Sequence, residues 1–128
     1  MRSESSAFLW DVLRAADRIA VFIDGLDQGS YVGDELRRSA VERQLEIVGE
    51  ALNSLRRVDA DTASRIPDIN RIIGLRNVLA HGYAVVDDHV VWAAASARVP
   101  KLRTLVDGLL AQSPAPGGVP SEKGREKE

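Results

Sequence analysis

The sequence predicts an all-α fold, an antiparallel up-and-down bundle of four to five helices. Apolar residues recur at alternating +4 and +3 spacings over two long segments. No run alternates with the period of two that a half-buried strand needs. The 128-residue composition, 45% hydrophobic and 28% charged, is that of a chain able to bury a core. The one β-like run, Ala84-Val85-Val86, is too short to build a sheet.

In the first helix Phe8, Val12, Ala15, Ile19, Phe22 and Leu26 share one face, with Ser5 or Ser6 as the cap and Gly25 near the end. Asp27 to Gly33 is rich in turn formers and reads as a connection. A second helix opens near Asp34 and repeats the pattern at Val41, Leu45, Val48, Leu52 and Leu55. Its opposite face carries Arg37, Arg38, Glu42, Arg43, Glu46 and Glu50, a mixed-charge surface for solvent or a partner. A short turn or helical piece falls between Val58 and Arg65, before Pro67.

The third helix is expected from about Asp68 to Ala80, burying Ile69, Ile72, Ile73, Leu75 and Leu79, and breaking at His81-Gly82-Tyr83. Asp87 or Asp88 suits the N-cap of a fourth helix with Val91, Ala95, Leu102, Leu105 and Leu109 on one face. Pro100 should kink or divide that helix. Residues 1–112 are thus the folding unit, and that length supports a core without staples or metals. Residues 113–128, rich in proline, glycine and charge, read as a disordered polar tail.

Composition excludes several chemistries. Without cysteine there is no disulfide scaffold, thiolate zinc site, iron–sulfur cluster or cysteine nucleophile. Two histidines, His81 and His89, make a multi-histidine metal site within one chain a poor reading, so neither metal nor cofactor is expected. A net charge of −2 and a pI near 5.7 argue against coating nucleic acid by bulk charge, though a local basic patch can still hold RNA. No apolar run approaches the length of a membrane span and no signal peptide is evident, which places the chain in the cytoplasm.

Phosphate loops, nucleophile elbows and His-Glu-x-x-His helices are missing. The one dense polar constellation is Arg71-Ile-Ile-Gly-Leu-Arg76-Asn77-Val-Leu-Ala-His81-Gly82-Tyr83. Five helical positions span about 140°, so Arg76 and His81 flank one another, and a helix that loosens at Gly82 swings the imidazole toward the arginine. Tyr83, seven residues after Arg76, returns to nearly the same face, so the three could line one cleft wall. Spacing alone does not make an enzyme: a capping histidine, a solvated arginine and a loop-anchoring tyrosine fit it as well. His89 reads as solvated or locally bonded. Trp10 and Trp92 read as core or dimer packing. Arg65 and Arg71 are candidates for an RNA-contacting rim, with solvated arginines as the default.

The run Arg76-Asn77-Val78-Leu79-Ala80-His81-Gly82-Tyr83 resembles the Arg-x4-His-x-Tyr signature of HepT, the toxin member of the HEPN superfamily. The likeness covers nearly the whole folding unit. Val41 to Ala51, ending in Gly-Glu-Ala, is similar to the family's second-helix segment, and Ile66-Pro67, Ile72-Ile73-Gly74 and Val90-Val91-Trp92 stand where a HepT-like chain has them. Asp68 departs from it, since many relatives place a tryptophan after the Ile-Pro pair.

The resemblance implies the toxin of a HEPN/MNT toxin–antitoxin pair, a metal-independent endoribonuclease. It implies a homodimer, with two Arg76–His81 pairs meeting in a cleft between protomers. Arg76 would hold the phosphate oxygens with its charged fork, and His81 would relay protons, since an imidazole titrates near neutrality. Asn77 either orients the phosphate or His81, or is a helix-surface amide. The resemblance further implies a minimal nucleotidyltransferase antitoxin that transfers AMP to Tyr83. The alternative is a catalytically silent HEPN-like module that binds a nucleotidyltransferase or nucleic acid.

Overall fold

A computed structural model describes residues 1–82 and 85–112. It consists of α1 (Ser3–Ile23), α2 (Gln28–Val32), α3 (Glu35–Val58), α4 (Ala60–Ala63), α5 (Ile69–His81), α6 (Asp88–Ala93), a π-helical turn (Ala94–Arg98) and α7 (Val99–Ala111). Four rods, α1, α3, α5 and α6–α7, make the bundle, and no strand occurs among the described residues. The expected tail, 113–128, lies outside them.

The core shows how the rods run. Leu9, Val12 and Leu13 from the start of α1 pack with Val48, Leu52 and Leu55 from the end of α3, with Ile72 and Ile73 at the start of α5, and with Leu102 and Val106 of α7. Ala16 and Ile19 from the end of α1 pack with Val41 and Leu45 near the start of α3 and with Val91, Ala95 and Val99. Early α1 meeting late α3, and late α3 meeting early α5, is the antiparallel up-and-down order.

Local chemistry sets the element boundaries. Asp34 and Asp87 cap α3 and α6, accepting from the backbone N–H of Arg37 and of His89, both at 3.0 Å. Pro100 does divide the last rod, by a specific device. Proline has no N–H, and the turn just before it widens: the Val99 N–H donates to the Ala94 carbonyl, five residues back, so that α7 restarts with Pro100 in its first turn.

Two local expectations are corrected. Ser5 and Ser6 do not cap α1, which begins earlier; both are buried, and Ser5 Oγ donates to Asp59 Oδ2 at 2.7 Å. The turn-rich Asp27–Gly33 stretch contains the helix α2, because Asp27 and Ser30 cap each other reciprocally and Tyr31 is driven fully into the core, its ring 5.3 Å from that of Trp92. Of the two readings of Trp10, core or dimer packing, the first does not hold within the protomer, where it is 36% exposed. His89 is exposed, as expected, with its backbone N–H on Asp87 and its ring paired with Gln28 of α2.

The mixed-charge face of α3 is mostly spent inside the molecule. Arg38 bonds the Val32 carbonyl and faces Asp88 of α6 at 3.7 Å. Glu42 is half-buried, and burial, aided by the Asp88 charge, pushes its carboxyl upward. Asp68, at the head of α5, adopts φ 61°, a left-handed conformation that aspartate tolerates better than a bulky residue does.

Asp59 ties the start of α1 to the α3–α4 corner. Its carboxylate accepts from Thr62 Oγ at 2.7 Å, Ser5 Oγ at 2.7 Å and the Thr62 N–H at 3.1 Å. Those hydroxyls pull its pKa from 3.8 down to about 2. A depressed carboxyl contributes stability above the unfolded value and loses it as pH falls through the folded one. Asp59→Ala is therefore expected to cost about 2 kcal/mol at pH 7, from the lost cap and charge-assisted bonds. Its melting curve should converge on that of the parent between roughly pH 4 and pH 2.

Candidate active site at the end of helix α5

α5 ends where the sequence requires. Gly82 takes φ 64° and sends its N–H back to the Val78 carbonyl at 3.2 Å, a left-handed cap open to glycine at no steric cost. The helix stays regular through His81 and turns only afterwards. The imidazole thus leaves from a helical position, about 7.5 Å along the axis and about 140° round from Arg76. The helix ends at Gly82, as expected, with His81 still in helical register. His81 is exposed. Tyr83, the expected modification site, lies outside the described residues.

Arg76 is held differently. Its stem crosses α3 at Gly49, where a Cβ would stand 2.2 Å from Arg76 Cβ and 2.7 Å from Arg76 Cγ. Only glycine leaves that space, so the approach of α3 to α5 at this point depends on it. The side chain is 25% exposed, and its buried Nε has no hydrogen-bond acceptor among the described residues. Nη1 donates to Asn77 Oδ1 at 3.0 Å and Nη2 to Glu50 Oε2 at 3.4 Å. Each Nη carries two N–H groups, so donors remain at the mouth of the seam for an oxyanion.

Arg76 and Asn77 are thereby brought together, with Gly49 and Glu50 as partners that the motif did not mark. The signal for them was present in the Gly-Glu-Ala segment, but nothing in α3 alone says what its glycine approaches. Arg71 and Arg65 lie toward the other end of α5, both exposed, and Arg65 pairs with Asp61 at 3.5 Å.

No group of three or more histidines, aspartates and glutamates with metal-binding geometry occurs among the described residues. None of their helices is long and apolar enough to cross a membrane. The clefts of 480 Å³ between α1 and α7, and of 240 Å³ between α5 and α7, are lined by residues other than Arg76 and His81. Arg76 sits instead in the α3–α5 seam and His81 at the exposed end of α5, and the side chains of Val78 and Val85 are exposed.

Fold and site together define a class: an all-α bundle with an Arg-x4-His spacing on one helix, the arginine in a helix–helix seam and the histidine at the exposed helix end. A family model described as "Ribonuclease HepT-like" matches residues 12–109. "Putative RNase MJ1380" of Methanocaldococcus jannaschii is 32% identical over 108 residues, covering 83% of this chain and 96% of the relative. "Putative RNase MJ0125" of the same organism is 30% identical over 104 residues, 80% of this chain and 87% of the relative. "Putative RNase TTE0752" of Caldanaerobacter subterraneus subsp. tengcongensis is 27% identical over 103 residues, 80% of this chain and 91% of the relative. No solved structure matches the chain significantly. The chain belongs to the HepT-like ribonuclease family of the HEPN superfamily.

Proposed function

We propose that this protein is the endoribonuclease toxin of a HEPN/MNT toxin–antitoxin pair, acting in the cytoplasm as a homodimer without a metal ion. The observation that carries the reading is the Arg76 fork, seated on Gly49 and facing outward one and a half turns before His81, in a chain of the HepT-like ribonuclease family.

In the proposed reaction a ribose 2′-oxygen attacks the adjacent phosphorus. A P–O bond forms there as the bond to the 5′-oxygen breaks, leaving a cyclic phosphate. Negative charge grows on the non-bridging oxygens, which the remaining Arg76 N–H donors stabilise. The 2′-OH proton passes to a neutral imidazole and the leaving 5′-oxygen takes one from an imidazolium. One His81 cannot hold both states at once, whereas two across a dimer axis can. The open site on one protomer, and the exposed apolar side chains of Val78 and Val85, support a second copy as the missing wall. Asn77 steadies the fork. Arg71 and Arg65 extend a cationic track for the RNA backbone.

Control would fall on Tyr83, one residue beyond the Gly82 cap. Its phenolic oxygen would attack the α-phosphorus of ATP bound to a minimal nucleotidyltransferase partner, releasing pyrophosphate and giving its proton to a base on that partner. The adenylyl phosphodiester would then place a negative charge beside the cationic site and repel RNA.

Co-expression with a minimal nucleotidyltransferase of the kind proposed tests the scheme. Intact mass is expected to rise by whole AMP units, and not in Tyr83→Phe. The unmodified protein is expected to cleave RNA in EDTA. Cleavage abolished by EDTA and restored by magnesium would replace the metal-free mechanism. Neutralisation without a mass change would replace AMP transfer with inhibition by binding.

A further inference from the structure

Glu50 stands outside the Arg-x4-His-x-Tyr signature, on a different helix, yet among the described residues its carboxylate is the one that pairs with the Arg76 fork. The arginine stem needs four torsions set before its guanidinium has a direction. The crevice over Gly49 settles the first of these, because Arg76 Cβ and Cγ lie directly on the α3 backbone. The Nε end is buried. The fork therefore emerges beside the residue that follows Gly49, and there Glu50 Oε2 accepts from Nη2 at 3.4 Å. On its other arm Nη1 is held by Asn77 at 3.0 Å. A guanidinium fixed at both arms is oriented before substrate arrives, the condition under which a charged donor stabilises a transition state without reorganising.

We propose that Glu50 is a positioning residue for RNA cleavage: it aims the Arg76 fork from α3, and it does so as a hydrogen-bond acceptor. It touches Arg76 and not the scissile phosphate. Its charge works against the substrate, since a carboxylate beside an approaching phosphodiester repels it. Acceptor and charge thus have opposite effects, and two substitutions separate them. Glu50→Ala removes both. Glu50→Gln keeps an oxygen for Nη2 and removes only the charge.

This inference rests on the ribonuclease reading, so its test carries an arm that does not need RNA. Wild type, Glu50→Ala and Glu50→Gln are compared for kcat and KM on an RNA oligonucleotide. In parallel, the Arg76 Nε–Hε resonance, assigned by its disappearance in Arg76→Ala, is followed by NMR. The expected result is a fall in kcat of about tenfold to a hundredfold in Glu50→Ala, the cost of a misaimed donor. Glu50→Gln should restore most of kcat with a lower KM. The Nε–Hε signal should shift or broaden in Glu50→Ala and stay in place in Glu50→Gln.

General destabilisation would not produce that split between KM and kcat, nor rescue by glutamine. An unchanged kcat and an unchanged resonance in Glu50→Ala overturn the proposal. If the wild type cleaves no RNA, the ribonuclease reading falls, and the resonance alone then decides whether Glu50 orients Arg76.

Discussion

Alanine at position 49 is expected to lower both stability and activity, since among the described glycines this is the one where an added Cβ meets an atom closer than 3.0 Å. In an ordinary helix Gly→Ala stabilises by about 1 kcal/mol, because it restricts the unfolded chain and covers backbone. Here the new Cβ would meet Arg76 Cβ at 2.2 Å, and both atoms are fixed to helical backbone. Relief requires α3 and α5 to part. Overpacking of this kind costs about 1–3 kcal/mol, which outweighs the propensity gain. A drop in melting temperature of several degrees should follow, with RNA cleavage down by about a hundredfold as the fork loses its aim. Gly74→Ala on α5 is the control. Nothing lies within 4 Å of its would-be Cβ, so the propensity gain alone should remain and the melting temperature should rise slightly.

The second large effect is expected at the pair itself. Arg76→Ala removes the donors to the phosphate oxygens and should reduce kcat by about 10²–10³. Arg76→Lys should recover little. A lysine ammonium is a point charge without a planar fork, and it cannot serve Asn77, Glu50 and a phosphate in fixed directions together. His81→Ala should cost about 10²–10⁴ through lost proton transfer. Arg76→Ala leaves Glu50 without its cation but still partly in water, 45% exposed, so the fold should survive. Single-turnover cleavage with matched circular dichroism melts checks this. An Arg76→Ala protein that is folded and fully active would remove Arg76 from the chemistry.

What could be read along the chain was whatever depends on near neighbours in sequence. The +4/+3 periodicity of α1 and α3, the caps at Asp34 and Asp87, the stop at Gly82 and the break before Pro100 are each written within about one turn of the residue concerned. The Arg76–His81 spacing is local in the same sense, and so is the helical register that keeps the two on flanking faces.

Features that depend on which faces meet were not legible. Ser5 looked like a cap because nothing nearby showed Asp59, 54 residues away, waiting for its hydroxyl. The Asp27–Gly33 turn formers hid a helix, because the burial of Tyr31 against Trp92 that completes α2 comes from another rod. Arg38 and Glu50 belonged to a charged face assigned to solvent or a partner, and the partner proved to be this chain's own α6 and α5. Periodicity says that a helix has a buried side and where it points, but not what will lie against it. The sequence by itself determined the rods, their ends and the spacing of the Arg76–His81 pair. The tertiary structure alone decided that α5 crosses α3 at the single residue without a side chain, which is what lets Arg76 lie down on Gly49 and emerge beside Glu50.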